Sequence, residues 1–161
     1  MSRGDIYLND LYEIAADKNI EIYEMNFSGA TKGLYADNTI GIKKSMTTIE
    51  KRCTLGEEIG HHDETVGDIT DLTKMENRKQ ERRARGKGYL YTISPDDIVD
   101  ALLHPCVSEN ELLDYLKVTP NHFIDAINYY KEKYGLYYRC KDYTLYFEPL
   151  YVLGASYEGR Y

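Results

Sequence analysis

Thr54-Leu55-Gly56-Glu57-Glu58-Ile59-Gly60-His61-His62 is the stretch on which the reading of this chain turns. Thr47 and Glu50 ahead of it form a capping-box pattern, which predicts a helix over residues 48–63. Cys53, Gly56, Ile59 and Gly60 fall along or near one side of that helix. Positions four apart share a helical face, so Glu57 and His61 project side by side. Gly60 keeps the helix slim just before His61, which allows another backbone or a substrate to come close. Gly67 and the Thr/Asp-rich stretch up to Thr73 are expected to end the helix.

Working outward, residues 5–18 read as an amphipathic helix and residues 20–25 as an alternating strand. Gly33-Leu34-Tyr35-Ala36 and Thr39-Ile40-Gly41-Ile42 flank Asp37-Asn38, the signature of a hairpin. Residues 75–85 predict a second helix, stopped by Gly86-Lys87-Gly88. Beyond Pro95 the pattern is helical over 97–103, 109–116 and 121–134, with start signals at Ser94-Pro95, Ser108/Glu111 and Thr119-Pro120. Residues 137–161 are rich in tyrosine and alternate, which predicts a hairpin or an extended arm.

The chemistry-bearing groups are Glu57/Glu58, His61/His62 and Glu81. Two ligands from one helical turn and a third from a neighbouring element make an open zinc site with a fourth position left for water. Glu58, one residue from the ligand Glu57, is placed to take a proton from that water. The bland readings are solvated charges for Glu57 and Glu58, and ion pairing of Glu81 with the Arg/Lys run around it. His62 is an alternative ligand, but it points about 100° away from His61 on an ideal helix. Cys53 reads as a small core residue, and Tyr89 and Tyr91 are minor candidates for oxyanion donors.

The run from Thr54 to His62 resembles the zinc helix of the ImmA/IrrE family of metallo-endopeptidases, which are common on phages and integrated mobile elements. Gly33 to Ile40 looks like the family's strand pair ahead of that helix. Glu76 to Arg85 looks like the helix carrying its third ligand. The similarity covers residues 5–93. The resemblance implies a zincin-like α+β domain over 1–93, with a short, mostly antiparallel sheet against the zinc helix. A helical, helix-turn-helix-like extension with a Tyr-rich arm is expected over 94–161. It implies Glu58 as general base, and His61, Glu81 and Glu57 as metal ligands. Glu57 stands where the family has the first histidine of its HExxH motif. A carboxylate there nearly neutralises the metal and favours manganese as an alternative to zinc. Ile40 and Ile42 are expected on a strand that binds substrate by strand addition. The implied substrate is a helix-turn-helix repressor protein. A second possibility is a degenerate EExxH site that sequesters the repressor without cutting it.

Composition fits this frame. The 161 residues carry 42% hydrophobic and 29% charged residues, enough for a folded core. The formal charge is -7, unfavourable for phosphate contacts, so direct binding of nucleic acid by residues 109–134 is not expected. No apolar run approaches the roughly 20 residues that span a bilayer. Three cysteines far apart in sequence predict free thiols and a cytoplasmic setting. Tyrosine is over-used: 17 Tyr stand beside 3 Phe and no Trp, which suits half-buried sheet faces.

Overall fold

The computed structural model describes residues 3–64, 73–105 and 108–154. Most of the stretch expected to end the 48–63 helix, Cys106, and the last part of the Tyr-rich arm lie outside the described residues. The fold is α+β. The chain divides into two compact units, Met1–Thr92 with Lys117–Thr119, and Ile93–Leu116 with Pro120–Tyr161.

The first unit contains α1 (Arg3–Asp17), β1 (Glu21–Met25), β2 (Gly33–Ala36), β3 (Thr39–Lys43), α2 (Thr48–Glu64) and α3 (Met75–Thr92). Asp37 and Asn38 adopt φ of 47° and 58°, the left-handed pair that closes a two-residue hairpin between β2 and β3. The sheet order is β1-β3-β2, and β1 runs parallel to β3. The sheet is therefore mixed, and the mostly antiparallel arrangement expected from the sequence is corrected. The cause is burial: Ile40, Gly41 and Ile42 are all buried, so the most apolar strand takes the centre and the chain must bring β1 to its far side.

Ile40 and Ile42 share one face of β3 and join Leu55 and Ile59 of α2 in a core completed by Leu11, Ala15 and Ile20. Each of the Leu and Ile side chains contributes about 1.5–3 kcal/mol of transfer free energy. The start of α2 is held by the reciprocal box: Glu50 N–H donates to Thr47 Oγ1 at 3.3 Å, and Thr47 N–H to Glu50 Oε2 at 2.9 Å.

The contact of α2 with α3 is of another kind. A Cβ on Gly60 would lie 2.2 Å from the Ala84 carbonyl oxygen and 2.7 Å from Gly88 N. A Cβ on Gly88 would lie 2.8 Å from Glu57 Cα. The two helices thus touch backbone to backbone. This explains why α3 does not stop at Gly86-Lys87-Gly88, as the sequence suggests, but runs on to Thr92. Glycine costs about 1 kcal/mol against alanine inside a helix. Here close interhelical packing offsets that cost, and what reads as a breaker is a contact surface.

Lys117–Thr119, expected within the extension, groups with the first unit. Buried Arg52 of α2 donates through Nη1 to the Lys117 carbonyl at 2.9 Å and through Nη2 to the Thr92 carbonyl. Two carbonyls left over at chain turns are satisfied by one guanidinium fork.

The second unit contains α4 (Pro95–Leu103), α5 (Glu109–Leu116), α6 (Pro120–Tyr134), β4 (Tyr137–Cys140), β5 (Tyr143–Phe147) and β6 (Leu150–Gly154). Ser94 with Asp97, and Ser108 with Glu111, cap α4 and α5. Gly135, at φ 81°, ends α6. The Tyr-rich segment forms a three-stranded antiparallel sheet, larger than the hairpin or arm expected. Tyr130 is fully buried and donates to the Ile93 carbonyl at 2.9 Å. Tyr137, Tyr146 and Tyr151 lie opposite one another across the strands, the last two stacked at 4.6 Å. Among the described residues no helix is long and apolar enough to cross a membrane.

Candidate functional site

Glu57 and His61 flank the glycines through which α2 meets α3. Glu81 lies on α3, one turn ahead of Arg85 and three residues before Ala84. Because Ala84 and Gly60 are in backbone contact, Glu81 is brought to the His61 ring: His61 Nε2 and Glu81 Oε2 are 3.5 Å apart. Two segments separated in sequence thus converge. The other oxygen of Glu81 is held by Arg85, whose Nε is 2.6 Å from Oε1. Burial works against the Arg85 charge. The hydrogen bond it donates to Glu81 and the fields of Glu81 and Glu57 outweigh it and raise the guanidinium further above its ordinary range.

Glu58 points to the other side of α2, under β2. A Cβ on Gly33 would meet Glu58 Oε1 at 2.5 Å, so the absence of a side chain at Gly33 makes the room for the carboxyl. Burial first, then the neighbouring carboxylates of Glu57 and Glu81, push Glu58 up to about 7; a hydrogen bond from the Tyr35 backbone N–H works in the opposite direction. Tyr35 pairs with Ile40, one step inside the hairpin-closing pair Ala36–Thr39. That is the non-hydrogen-bonded position, so its N–H points off the open edge of the sheet. A carboxyl poised near neutrality at a strand edge is suited to moving a proton at physiological pH.

His62 also turns to β2. Its Nδ1 is 3.0 Å from the Tyr35 hydroxyl and its ring packs edge-on to Tyr35 at 5.4 Å. Beyond it, Asp63 accepts from Lys18 Nζ at 2.8 Å and from the Tyr91 hydroxyl at 2.5 Å. Burial alone would raise the Asp63 carboxyl, but these two hydrogen bonds outweigh it and hold it below the usual range. The Tyr91 hydroxyl is therefore engaged with Asp63, and Tyr89 is buried at the helix crossing. Cys53 is buried, and burial pushes its thiol up.

One expectation is overturned. Ile40 and Ile42 have no exposed surface, and β3 is paired along both edges, with β1 and with β2. A substrate strand has no vacant edge there. The most apolar run was read as a docking strand, when its very apolarity makes it the sheet's centre. Among the described residues the outer edges of the sheet belong to β1 and β2, and the β2 edge lies beside Glu58.

Two donors spaced for one cation are present. Bonds of about 2.0–2.1 Å at a tetrahedral ion separate neighbouring donor atoms by about 3.3 Å, close to the 3.5 Å found between His61 and Glu81. No set of three His, Cys, Asp or Glu side chains is gathered about one point among the described residues. Glu57, the third expected donor, lies one turn before His61 on the same side of α2, in the field of Arg85. One imidazole and two carboxylates are donor types that a divalent cation accepts, and of the three only His61 and Glu81 are shown brought together. The pairing of Glu81 with the basic run around it, weighed from the sequence, is realised with Arg85 at i,i+4. Sequence reasoning missed Tyr35 and Asp63 as parts of this region, and for Asp63 there was no signal.

No family model, no curated protein and no solved structure matches this chain.

Proposed function

We propose that the chain is a metal-dependent endopeptidase of the ImmA/IrrE kind, acting on a repressor protein of a phage or mobile element. The observation that carries this reading is the 3.5 Å approach of His61 Nε2 to Glu81 Oε2 across the α2–α3 crossing, with the Glu58 carboxyl on the adjoining turn. His61, Glu81 and Glu57 would hold the metal, zinc or manganese. When bound, the metal supplies Lewis acidity toward a peptide carbonyl.

The remaining work falls to the chain's own residues. A peptide strand docks along the outer edge of β2, where the main-chain groups of Gly33 and the carbonyl of Tyr35 face outward, the Tyr35 N–H being engaged by Glu58. This docking runs the peptide past Glu58. The Glu58 carboxylate takes the proton of the attacking water and returns it to the leaving amine nitrogen, a role matched to a group titrating near 7. Tyr35, through its N–H, holds Glu58 at the strand edge. The choice of a repressor as substrate rests on the resemblance alone.

A second reading is favoured by one observation: Glu81 is already engaged by a cation of the protein itself, Arg85. In that reading the site is a non-catalytic docking point that binds the repressor without cutting it. Metal analysis and cleavage separate the two. The peptidase reading expects about one equivalent of zinc or manganese, and loss of cleavage on chelation. Glu58→Gln is expected to keep metal and repressor binding while abolishing cleavage. Glu81→Gln and His61→Ala are expected to lose the metal. Stoichiometric repressor binding with no metal and no cleavage would leave only the docking reading.

A further inference from the structure

Helix α3 carries charge that works against its own stability. Between Lys74 and Lys87 stand seven Lys and Arg and two Glu, a net +5 in a chain whose total is -7, so the rest of the chain carries -12. Two rows of cations run along the helix at i,i+4 spacing: Lys74, Arg78 and Arg82 in one, Lys79, Arg83 and Lys87 in the other. Like charges at that spacing repel and destabilise a helix. Cations are also unfavourable in the first turns, where the helix dipole is positive; the last turn, which would favour them, has none. Arg78, Lys79, Arg82 and Arg83 are all exposed. Arg78 donates to the Thr73 carbonyl at 2.9 Å. Among the described residues Lys79 and Arg83 make no ion pair. Two apolar side chains bracket the cations: Met75, 60% exposed, one turn before Lys79, and Leu90, 40% exposed, two turns after Arg83.

We propose that this face of α3 is a docking surface for an acidic segment of a partner protein, a run of Asp and Glu with an apolar residue at each end. The inference does not rest on the metal centre. Its physical content is that the helix keeps a repulsion that a bound polyanion relieves, a local conflict of the kind retained where a surface has another task. Charge complementarity names the partner's chemistry, and the bracketing residues name its class. Met75 and Leu90 are 15 positions apart, roughly 22 Å along a helix axis. An extended chain covers that distance in about seven steps, which sets six acidic residues between two apolar ones. A phosphate backbone has nothing to offer Met75 and Leu90. It also runs on past one helix, into the field of a chain that is strongly negative everywhere else.

The test titrates the full-length chain, at about 0.15 M salt, with a fluorescent peptide of six alternating Asp and Glu residues flanked by single leucines. Saturable binding by the parent is expected. Lys79→Gln/Arg83→Gln is expected to weaken it on the order of tenfold and, in the same protein, to raise the thermal midpoint as the like-charge row is broken. Lys44→Gln/Lys141→Gln removes the same charge from exposed positions elsewhere and is expected to stay within about twofold of the parent. Met75→Ser is expected to weaken the leucine-flanked peptide about threefold and to leave a glycine-flanked one unchanged. A parent chain that ignores the peptide overturns the proposal, as do equal losses in the two double variants, which mark general charge attraction. Lost binding with a lowered midpoint marks a structural role for the cations and overturns it as well. A short DNA duplex or RNA strand that binds more tightly than the peptide, and is lost in Lys79→Gln/Arg83→Gln, reassigns the face to nucleic acid. Self-association of the parent that the same variant abolishes reassigns it to a second copy of the chain. Either outcome overturns the proposal, and the metal centre is decided separately by metal analysis.

Discussion

Helix α2 meets the sheet and α3 by opposite means. Toward the sheet it offers Leu55 and Ile59, fully buried against Ile40 and Ile42. Toward α3 it offers Gly56, which lies against the Thr92 methyl and the Gly88 carbonyl, and Gly60, which meets only main chain of Ala84 and Gly88. Side chains on the first face can adjust their rotamers. At Gly60 the second face has nothing to adjust, so the separation of the helices there is set by backbone. The reactive groups divide accordingly. His61 lies on the glycine side, where the distance to Glu81 depends on helix separation. Glu58 and His62 lie on the strand side, where hydrogen bonds with Tyr35 position them. The proposed site, which would need one rigid distance and one movable proton, is consistent with this division.

The largest expected effect is on the rigid side. In Gly60→Ala the new methyl must meet the Ala84 carbonyl at 2.2 Å, and backbone cannot rotate away. A loss of about 3 kcal/mol in urea denaturation is expected, with loss of metal binding as His61 and Glu81 separate. Wild-type stability in this variant would show that the helices can part without cost, and the contrast between the two faces would fail.

Glu58 tests the strand side. In the metal-free chain its carboxyl titrates at about 7, against 4.5 for an unperturbed glutamate. Between those values the folded chain keeps a proton that the unfolded chain has released, so this group's contribution falls as pH rises through the window. Glu58→Gln is expected to flatten that part of the pH–stability profile and to stabilise the chelated protein above pH 7 by about 1–3 kcal/mol. A profile identical to the parent's would mean that Glu58 is not held in the desolvated, carboxylate-rich setting described.

Asp63 gives a smaller effect of opposite sign. Its carboxyl is held below the ordinary 3.8 by Lys18 and Tyr91 despite burial. Its contribution is present above that value and is lost as pH falls below it. Asp63→Asn is expected to cost about 1–2 kcal/mol at neutral pH and to leave metal binding intact. The smallest change is Tyr35→Phe, which removes the hydroxyl bonded to His62 and leaves the backbone N–H that serves Glu58. About 0.5–1 kcal/mol is expected, with cleavage retained.

Local signals in the sequence were legible where local physics decides. Thr47/Glu50, Ser94 and Ser108/Glu111 cap helices because hydroxyls and carboxylates satisfy the first N–H groups of the turn that follows. Asp37-Asn38 turns a hairpin because those residues tolerate positive φ. The approach of His61 and Glu81 was expected from spacing on two helices joined to a likeness in motif. Gly86 and Gly88 misled because a glycine has one local meaning, a break, and one tertiary meaning, a close contact, and a single chain does not distinguish them. Ile40 and Ile42 misled because an apolar strand looks the same whether its edges are free or filled.

The sequence by itself determined where the helices begin, where the hairpin turns, and which side chains share a turn of α2, since each follows from interactions within a few residues. Only the tertiary structure decided that β3 is central, that α3 continues past its glycines, and that Arg85 and His61 take opposite oxygens of Glu81. Those outcomes depend on which distant backbone comes to lie alongside, a contact whose cost and gain no local stretch of chain contains.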